Sequence, residues 1–221
     1  MVWSCLVSIL PGMAQTEKLT DYVNPFVGTD GYGNVYPGAQ IPFGGIQISP
    51  DTDSRFYDAA SGYKYNHLTL MGFSLTHLSG TGIPDLGDFL FIPGTGEMKL
   101  EPGTHEDPDQ GYRSRYSHDK EWASPNYYAV ELADYGVKAE MTSGVRSGMF
   151  RFTYPESDNA FIMIDMNHTL WQSCEWSNLR MINDSTITGY KLVKGWGPER
   201  HVYFTATFSK KLTGLRFVQD K

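Results

Sequence analysis

Residues 126–155 read NYYAVELADYGVKAEMTSGVRSGMFRFTYP, and the spacing of their apolar residues decides the fold. Tyr128, Val130 and Leu132 fill every second position, Tyr135-Gly136 interrupts, and Val137, Ala139 and Met141 resume the alternation. Successive side chains of a strand point to opposite faces, so a period of two marks a strand with one buried face; a helix repeats every 3.6 residues. Phe150, Phe152 and Tyr154 then alternate with Arg151 and Thr153. Pro155, which has no N–H to give a ladder, stops the run. Working outward, residues 161–166, 185–192, 201–208 and 214–218 continue in the same manner, and no window of the chain carries a helical stripe. Short strands at regular spacing with turn signals between them predict one all-β domain, an antiparallel β-sandwich. No internal repeat is visible.

The N-terminal third differs. Residues 24–45, NPFVGTDGYGNVYPGAQIPFGG, hold six Gly and three Pro, and turn residues stay frequent as far as position 125. Short apolar pieces surface at 45–49 and 88–92. Long Gly/Pro-rich stretches inside a compact domain are functional loops or irregular edges, so this third is expected to be irregular.

A length of 221 residues suits a single β domain, and 40% hydrophobic, 19% charged and 14% aromatic residues describe a globular chain. The net charge is −7 and no Lys/Arg run exceeds a pair. Phosphate backbones are bound by basic stripes, so nucleic acid is excluded as a partner. At the start, MVWSCLVSILPGMAQ is apolar from Val2 to Leu10 and carries the small residues Gly12 and Ala14. Residues 1–14 therefore read as a secretory signal, N-terminally incomplete because its basic segment is missing, with 15–221 as the sandwich domain. The alternative is a buried N-terminal strand. With Cys5 removed, Cys174 is alone, which rules out an internal disulfide and suits a small buried hydrophobe. No stretch reaches the roughly 20 apolar residues of a membrane span.

The richest candidate stretch is FSLTHLSGTGIPDLGDF, residues 73–89. Ser79-Gly80-Thr81-Gly82 is not a phosphate loop: no third glycine or helix follows, only Ile83-Pro84-Asp85 and a strand-like run from Phe89. Asp85 and Asp88 admit two readings. Carboxylates in Gly-rich loops brace backbone N–H groups, or they accept two hydrogen bonds from the neighbouring hydroxyls of a sugar. Only three residues apart on one loop, they are badly placed to face each other across a glycosidic bond as acid and base. His77 is either a hydrogen-bonded structural residue or a ligand-facing one, and His67 is similar. Metal spacing is absent: there is no His-x-x-x-His and no Cys pair. Asp107-Pro108-Asp109-Gln110-Gly111 lacks the distal Glu and the fifth-position ligand of a calcium loop. Asn167-His168-Thr169 and Asn183-Asp184-Ser185 are glycosylation sequons, relevant in a eukaryotic secretory host.

Aromatic residues add a second signal. Gly195-Trp196-Gly197 leaves both faces of an indole open, and sugar rings stack on such faces while the indole N–H reaches a hydroxyl. A packing role for this Trp is the alternative. Trp171 and Trp176 flank Cys174 and read equally as a contact with another domain. Arg55, Tyr57 and Asp58, after Ser49-Pro50-Asp51-Thr52, are further polar candidates.

One resemblance is carried by motifs in order: Val23-Asn24-Pro25-Phe26-Val27-Gly28-Thr29, Pro37-Gly38-Ala39 with Pro42-Phe43-Gly44, and Ser49-Pro50-Asp51-Thr52. Ser61-Gly62-Tyr63 with Tyr65, the run from Gly72 to Gly82, Asp85-x-Gly87-Asp88, Gly195-Trp196 and Val202-Tyr203-Phe204 follow. Together they resemble the N-terminal domain of glycoside hydrolase family 92, calcium-dependent exo-acting α-mannosidases of bacteria. The resemblance implies a β-sandwich packed on a helical barrel, with inverting hydrolysis of mannose-containing glycans, such as α-1,2-mannosides of N-glycans, in the cleft between them. It assigns the general acid, the base and the calcium ligands to the helical domain, which this chain lacks, so the chain alone is expected to be inactive. It implies a mannose pocket lined in part by His77, Gly82, Asp85, Asp88 and Trp196, and a secreted protein, periplasmic or on the cell surface. The other readings of the chain are a stand-alone mannoside-binding module and a structural or interaction domain.

Overall fold

The computed structural model describes residues 17–54 and 59–218. The signal expected at 1–14 and the candidates Arg55, Tyr57 and Asp58 lie outside the described residues. Thirteen strands run through the described residues. They are β1 (Ser49–Asp51), β2 (Thr69–Leu70), β3 (Gly72–Ser74), β4 (Leu90–Thr95), β5 (Ser114–Arg115), β6 (Glu121–Ser124), β7 (Tyr127–Leu132), β8 (Val137–Ser143), β9 (Gly148–Thr153), β10 (Ala160–Asp165), β11 (Ser173–Asn183), β12 (Thr186–Lys194) and β13 (Arg200–Thr207). Only short 3₁₀ turns accompany them, at Leu19–Tyr22, Pro108–Gln110 and His118–Lys120. No helix of the described residues is long and apolar enough to cross a membrane.

The alternation at 126–155 becomes a meander, β6-β7-β8-β9, with every pairing antiparallel. Its inward residues Tyr128, Val130, Leu132, Val137, Ala139 and Met141 are buried in one cluster with Phe73 of β3. Phe152 and Phe150 reach across to Phe73 and Phe91, at ring-centroid distances of 6.3 and 5.2 Å. These contacts join the meander to the sheet β1-β3-β4-β10, and the two layers form the sandwich. On the far side of β4, Leu90 and Ile92 pack with Met71, Tyr112 and Met163. Strand β4 is thus covered on both faces, which is why its sequence is continuously apolar and not alternating.

A third sheet, β11-β12-β13, lies against the β4 end of this core, where Phe204 meets Phe89 and Phe91 at 4.5 and 5.9 Å. Its inward row on β12 is Ile187, Gly189, Lys191 and Val193, all buried. Gly189 is required there, because a Cβ would lie 2.1 Å from the Phe204 ring. Outward, Tyr190 stands beside its cross-strand partner Tyr203 and beside Trp176, with centroids 4.7 and 5.1 Å away.

The N-terminal third is irregular, as expected: residues 17–48 hold one 3₁₀ turn and one isolated bridge, Ala39↔Ile48. Two expectations need correction. Residues 214–218 form no strand, since no neighbour offers them a ladder and they lie on the surface. Strand β11, the longest, was not anticipated, because polar residues occupy both of its faces and leave no alternation to read. Cys174, at its start, is only half-buried.

Candidate functional site

The segment joining β3 to β4 folds back on itself. Leu75 N–H donates to Asp88 O at 2.9 Å and Gly87 N–H to Thr76 O at 2.8 Å, while Gly80 N–H ties the tip to Asn34 O at 2.7 Å. The tip itself is open, with no atom within 4 Å of where a Cβ on Gly82 would sit. At its base, Leu86, Gly87 and Phe89 all have positive φ, at 74°, 73° and 58°. Such a conformation costs a residue with a Cβ about 1–2 kcal/mol and persists only where its surroundings enforce it. Here residues 168–172 enforce it: Leu170 N–H donates to Leu86 O at 3.0 Å, and the Gln172 amide donates to Pro84 O at 2.5 Å. Trp171, in that second segment, also has positive φ, 70°. Backbone strain therefore collects where the two segments meet.

Asp88 sits beneath this loop, 1% exposed. Its Oδ2 accepts from Thr76 Oγ1 at 2.7 Å and from the Arg200 guanidinium, and its Oδ1 lies 3.1 Å from the Lys191 ammonium. Burial alone would raise its carboxyl, but Lys191 and Arg200 outweigh that and hold it below the ordinary range. Lys191 is fully buried, also donates to His168 O at 2.6 Å, and stands over the Phe89 ring at 5.1 Å. Burial lowers its pKa, opposed by Asp88. Asp85, nearer the surface, accepts from Leu86 N–H at 2.6 Å and from Trp196 N–H at 3.3 Å. The indole of Trp196 is 70% exposed, at the β12–β13 hairpin tip, and nothing lies within 4 Å of a Cβ on Gly197.

His77 lies one layer deeper, 3% exposed. Its Nδ1 is 2.7 Å from Gln47 O and its Nε2 is 2.7 Å from Asp51 Oδ1. The other oxygen of Asp51 faces His168 Nε2 at 2.8 Å. Burial would raise the Asp51 carboxyl, yet the two histidines hold it far below the usual carboxylate range. Gly62 makes room for this triad, since a Cβ there would lie 2.2 Å from Asp51 Oδ1.

The fold thus gathers Asp85, Asp88 and Trp196 around Arg200, and links His77 to them through Asp51, His168 and Lys191. Gly82 lies at the open tip of the loop. Trp176 is level with this edge in register, opposite Leu192, but stands on the outer face of the third sheet beside Tyr190. His67 contacts Thr52 Oγ1 at 3.0 Å and the His105 ring at 4.1 Å. Among the described residues no group of His, Cys, Asp or Glu has the arrangement of a metal site. Sequence reasoning missed Asp51, His168, Gln172, Lys191 and Arg200 as members of this network. Lys191 did carry a signal: it occupies the inward register of β12, where a charge needs a buried partner.

Fold and edge together define a β-sandwich domain with a loop-built candidate site where the third sheet meets the first. Residues 22–221 match the model of the glycosyl hydrolase family 92 N-terminal domain, and the chain belongs to that family. It is similar to a solved family 92 glycosyl hydrolase, ccman5, with TM-score 0.70 and 28% identity over 84% of this chain and 26% of that one. The inverting mannosidase BT2199 of Bacteroides thetaiotaomicron shares the fold, with TM-score 0.62 and 21% identity over 87% of this chain and 29% of that one. An uncharacterized secreted glycosidase of Arthroderma benhamiae is 30% identical over 139 residues, 62% of this chain. The chain spans only 17% of that glycosidase's length.

Proposed function

We propose that this chain is the sugar-facing sandwich of a secreted exo-α-mannosidase, lining part of the terminal mannose pocket and leaving hydrolysis to a helical partner domain. The observation that carries this reading is Trp196: an exposed indole between two glycines, its backbone N–H tied to Asp85, beside the strained loop. Solvent-exposed indoles with free faces stack on sugar rings, and backbone strain gathers where function requires it. In this reading Trp196, Gly82 and Asp85 face the sugar, while His77 and Asp88 hold the lip in place. The exposed outer aromatics Trp176 and Tyr203 suit a surface covered by the helical domain.

Inverting hydrolysis needs two carboxyl groups about 6.5–9.5 Å apart across the bond. Asp85 and Asp88 are adjacent on one loop and engaged by cations and backbone donors, so the acid and base are assigned to the partner. Calcium, which the family resemblance implies, takes six to eight oxygen ligands. The buried carboxylate of Asp51 is already hydrogen-bonded by His77 and His168, and that of Asp88 is paired with Lys191 and Arg200, a donor set that does not fit it. The test is hydrolysis of an α-mannobioside by this chain alone and fused to the helical domain of a family relative. The fusion is expected to turn over and the chain alone not to; turnover by the chain alone would contradict the assignment.

A further inference from the structure

Two side-chain atoms beside Asp85 are buried without a hydrogen-bond partner among the described residues: Gln172 Oε1, an acceptor, and Arg200 Nη2, a donor. Buried polar atoms are nearly always paired, with protein, ordered water or a ligand, so a close pair of exceptions marks a place where such a partner fits. The two are neighbours across Asp85. Arg200 Nη2 is 3.8 Å from Asp85 Oδ1, and the point where a Cβ on Gly195 would sit is 3.2 Å from that oxygen and 3.4 Å from Gln172 Cδ. Both side chains are otherwise fixed, Gln172 by its amide on Pro84 O and Arg200 by Asp88, so their free valences have a set direction. Gly195 of the Gly195-Trp196-Gly197 tip lies against Gln172, with its Cβ position 2.4 Å from Gln172 Cγ. That tip is held by the long 3.3 Å bond from Trp196 N–H to Asp85 and by Gly195 N–H to Gly197 O at 3.1 Å, with open space around Gly197.

We propose that Gln172 Oε1 and Arg200 Nη2 form a hydroxyl-binding pair for a neutral sugar, reached when the Gly195-Trp196-Gly197 tip lifts. The inference rests on the sugar-facing reading above and deepens it by naming the groups that hold the ring's oxygens. The ligand class follows from charge and chemistry. Asp85 and Asp88 repel an anion, Arg200 repels a cation, and adjacent hydroxyls offer a donor to Gln172 and an acceptor to Arg200. Lifting the tip exposes the pair and turns the indole of Trp196 over the same ring.

The experiment is an NMR titration of the chain with methyl α-mannopyranoside, methyl α-glucopyranoside and glycerol in turn. The Gln172 amide and Arg200 guanidinium signals are followed, and Gln172→Met and Arg200→Lys are titrated beside the parent. One of the two glycosides is expected to shift both signals, and each substitution to weaken it about tenfold, the loss typical of one hydrogen bond. The melting temperature of Gln172→Met should fall, because its bond to Pro84 O is lost as well, so affinity is the deciding readout: a merely structural Gln172 would leave the affinity of the folded variant unchanged. Unchanged affinity in both variants, or unmoved signals with all three probes, overturns the proposal and leaves the two atoms to water. Shifts with the glucoside and none with the mannoside would uphold the pair and sink the mannose reading instead.

Discussion

Asp88 holds a lysine on one oxygen and an arginine and a threonine on the other, in a site closed to water. Removing one member of such a buried cluster leaves uncompensated charge, so Asp88→Asn is expected to lose about 3–5 kcal/mol of stability in urea denaturation. A loss below about 1 kcal/mol would show that water reaches Lys191. Asp51 supplies a pH test. Its folded pKa is depressed, as is that of Asp88, so the stability each contributes is present above the unfolded carboxyl value near ~3.9 and is lost as pH falls through the lower folded value. Wild-type stability should therefore drop steeply below about pH 4, as protons enter carboxylates that only the unfolded chain accepts easily. Asp51→Asn should be less stable at neutral pH and should show a shallower acid decline. Parallel curves for the two proteins would mean that His77 and His168 do not stabilise the Asp51 charge.

At the scale of elements, two glycines of one loop make opposite predictions. Gly87 has φ +73°, and a Cβ there would lie 2.6 Å from Leu170 Cγ, so Gly87→Ala is expected to cost about 2 kcal/mol or more and to loosen residues 168–172. Gly82 has open space and an ordinary φ, so Gly82→Ala should stay within about 0.5 kcal/mol of wild type in the same thermal melts. Equal losses would contradict the contrast between braced base and open tip. The contrast also marks what the sequence could reveal. Strands β7, β8 and β9 were legible because each buries one face, and a one-sided burial leaves a period of two in the sequence. Strand β11 was not, since Glu175, Trp176, Asn178 and Arg180 are exposed or half-exposed and impose no period. The loop could be named as a site but not built, because its shape depends on Leu170 and Gln172, some 85 residues later, and no local pattern encodes such a contact.

In the whole molecule, the polar network runs between sheets. Asp51 on β1, Lys191 on β12 and Arg200 on β13 meet the β3–β4 loop, so the third sheet is joined to the sandwich by Phe204 against Phe89 and by buried charge. Composition and period gave the class of fold, and ordered motifs gave the family; the pairing of charges across sheets needed the three-dimensional arrangement. That arrangement separates residues the sequence grouped together: His77 and Asp88 lie inside as braces, while Trp196 stands at the surface. The central claim, that this edge faces a mannose ring, is tested most directly by following the Trp196 indole N–H signal of the chain during titration with methyl α-mannopyranoside. The account predicts a saturable shift of that signal, and an affinity weakened about fivefold to tenfold in Trp196→Ala, as expected for loss of one stacking contact. A Trp196 signal that stays still while the sugar binds elsewhere, or an unchanged affinity in Trp196→Ala, would contradict it.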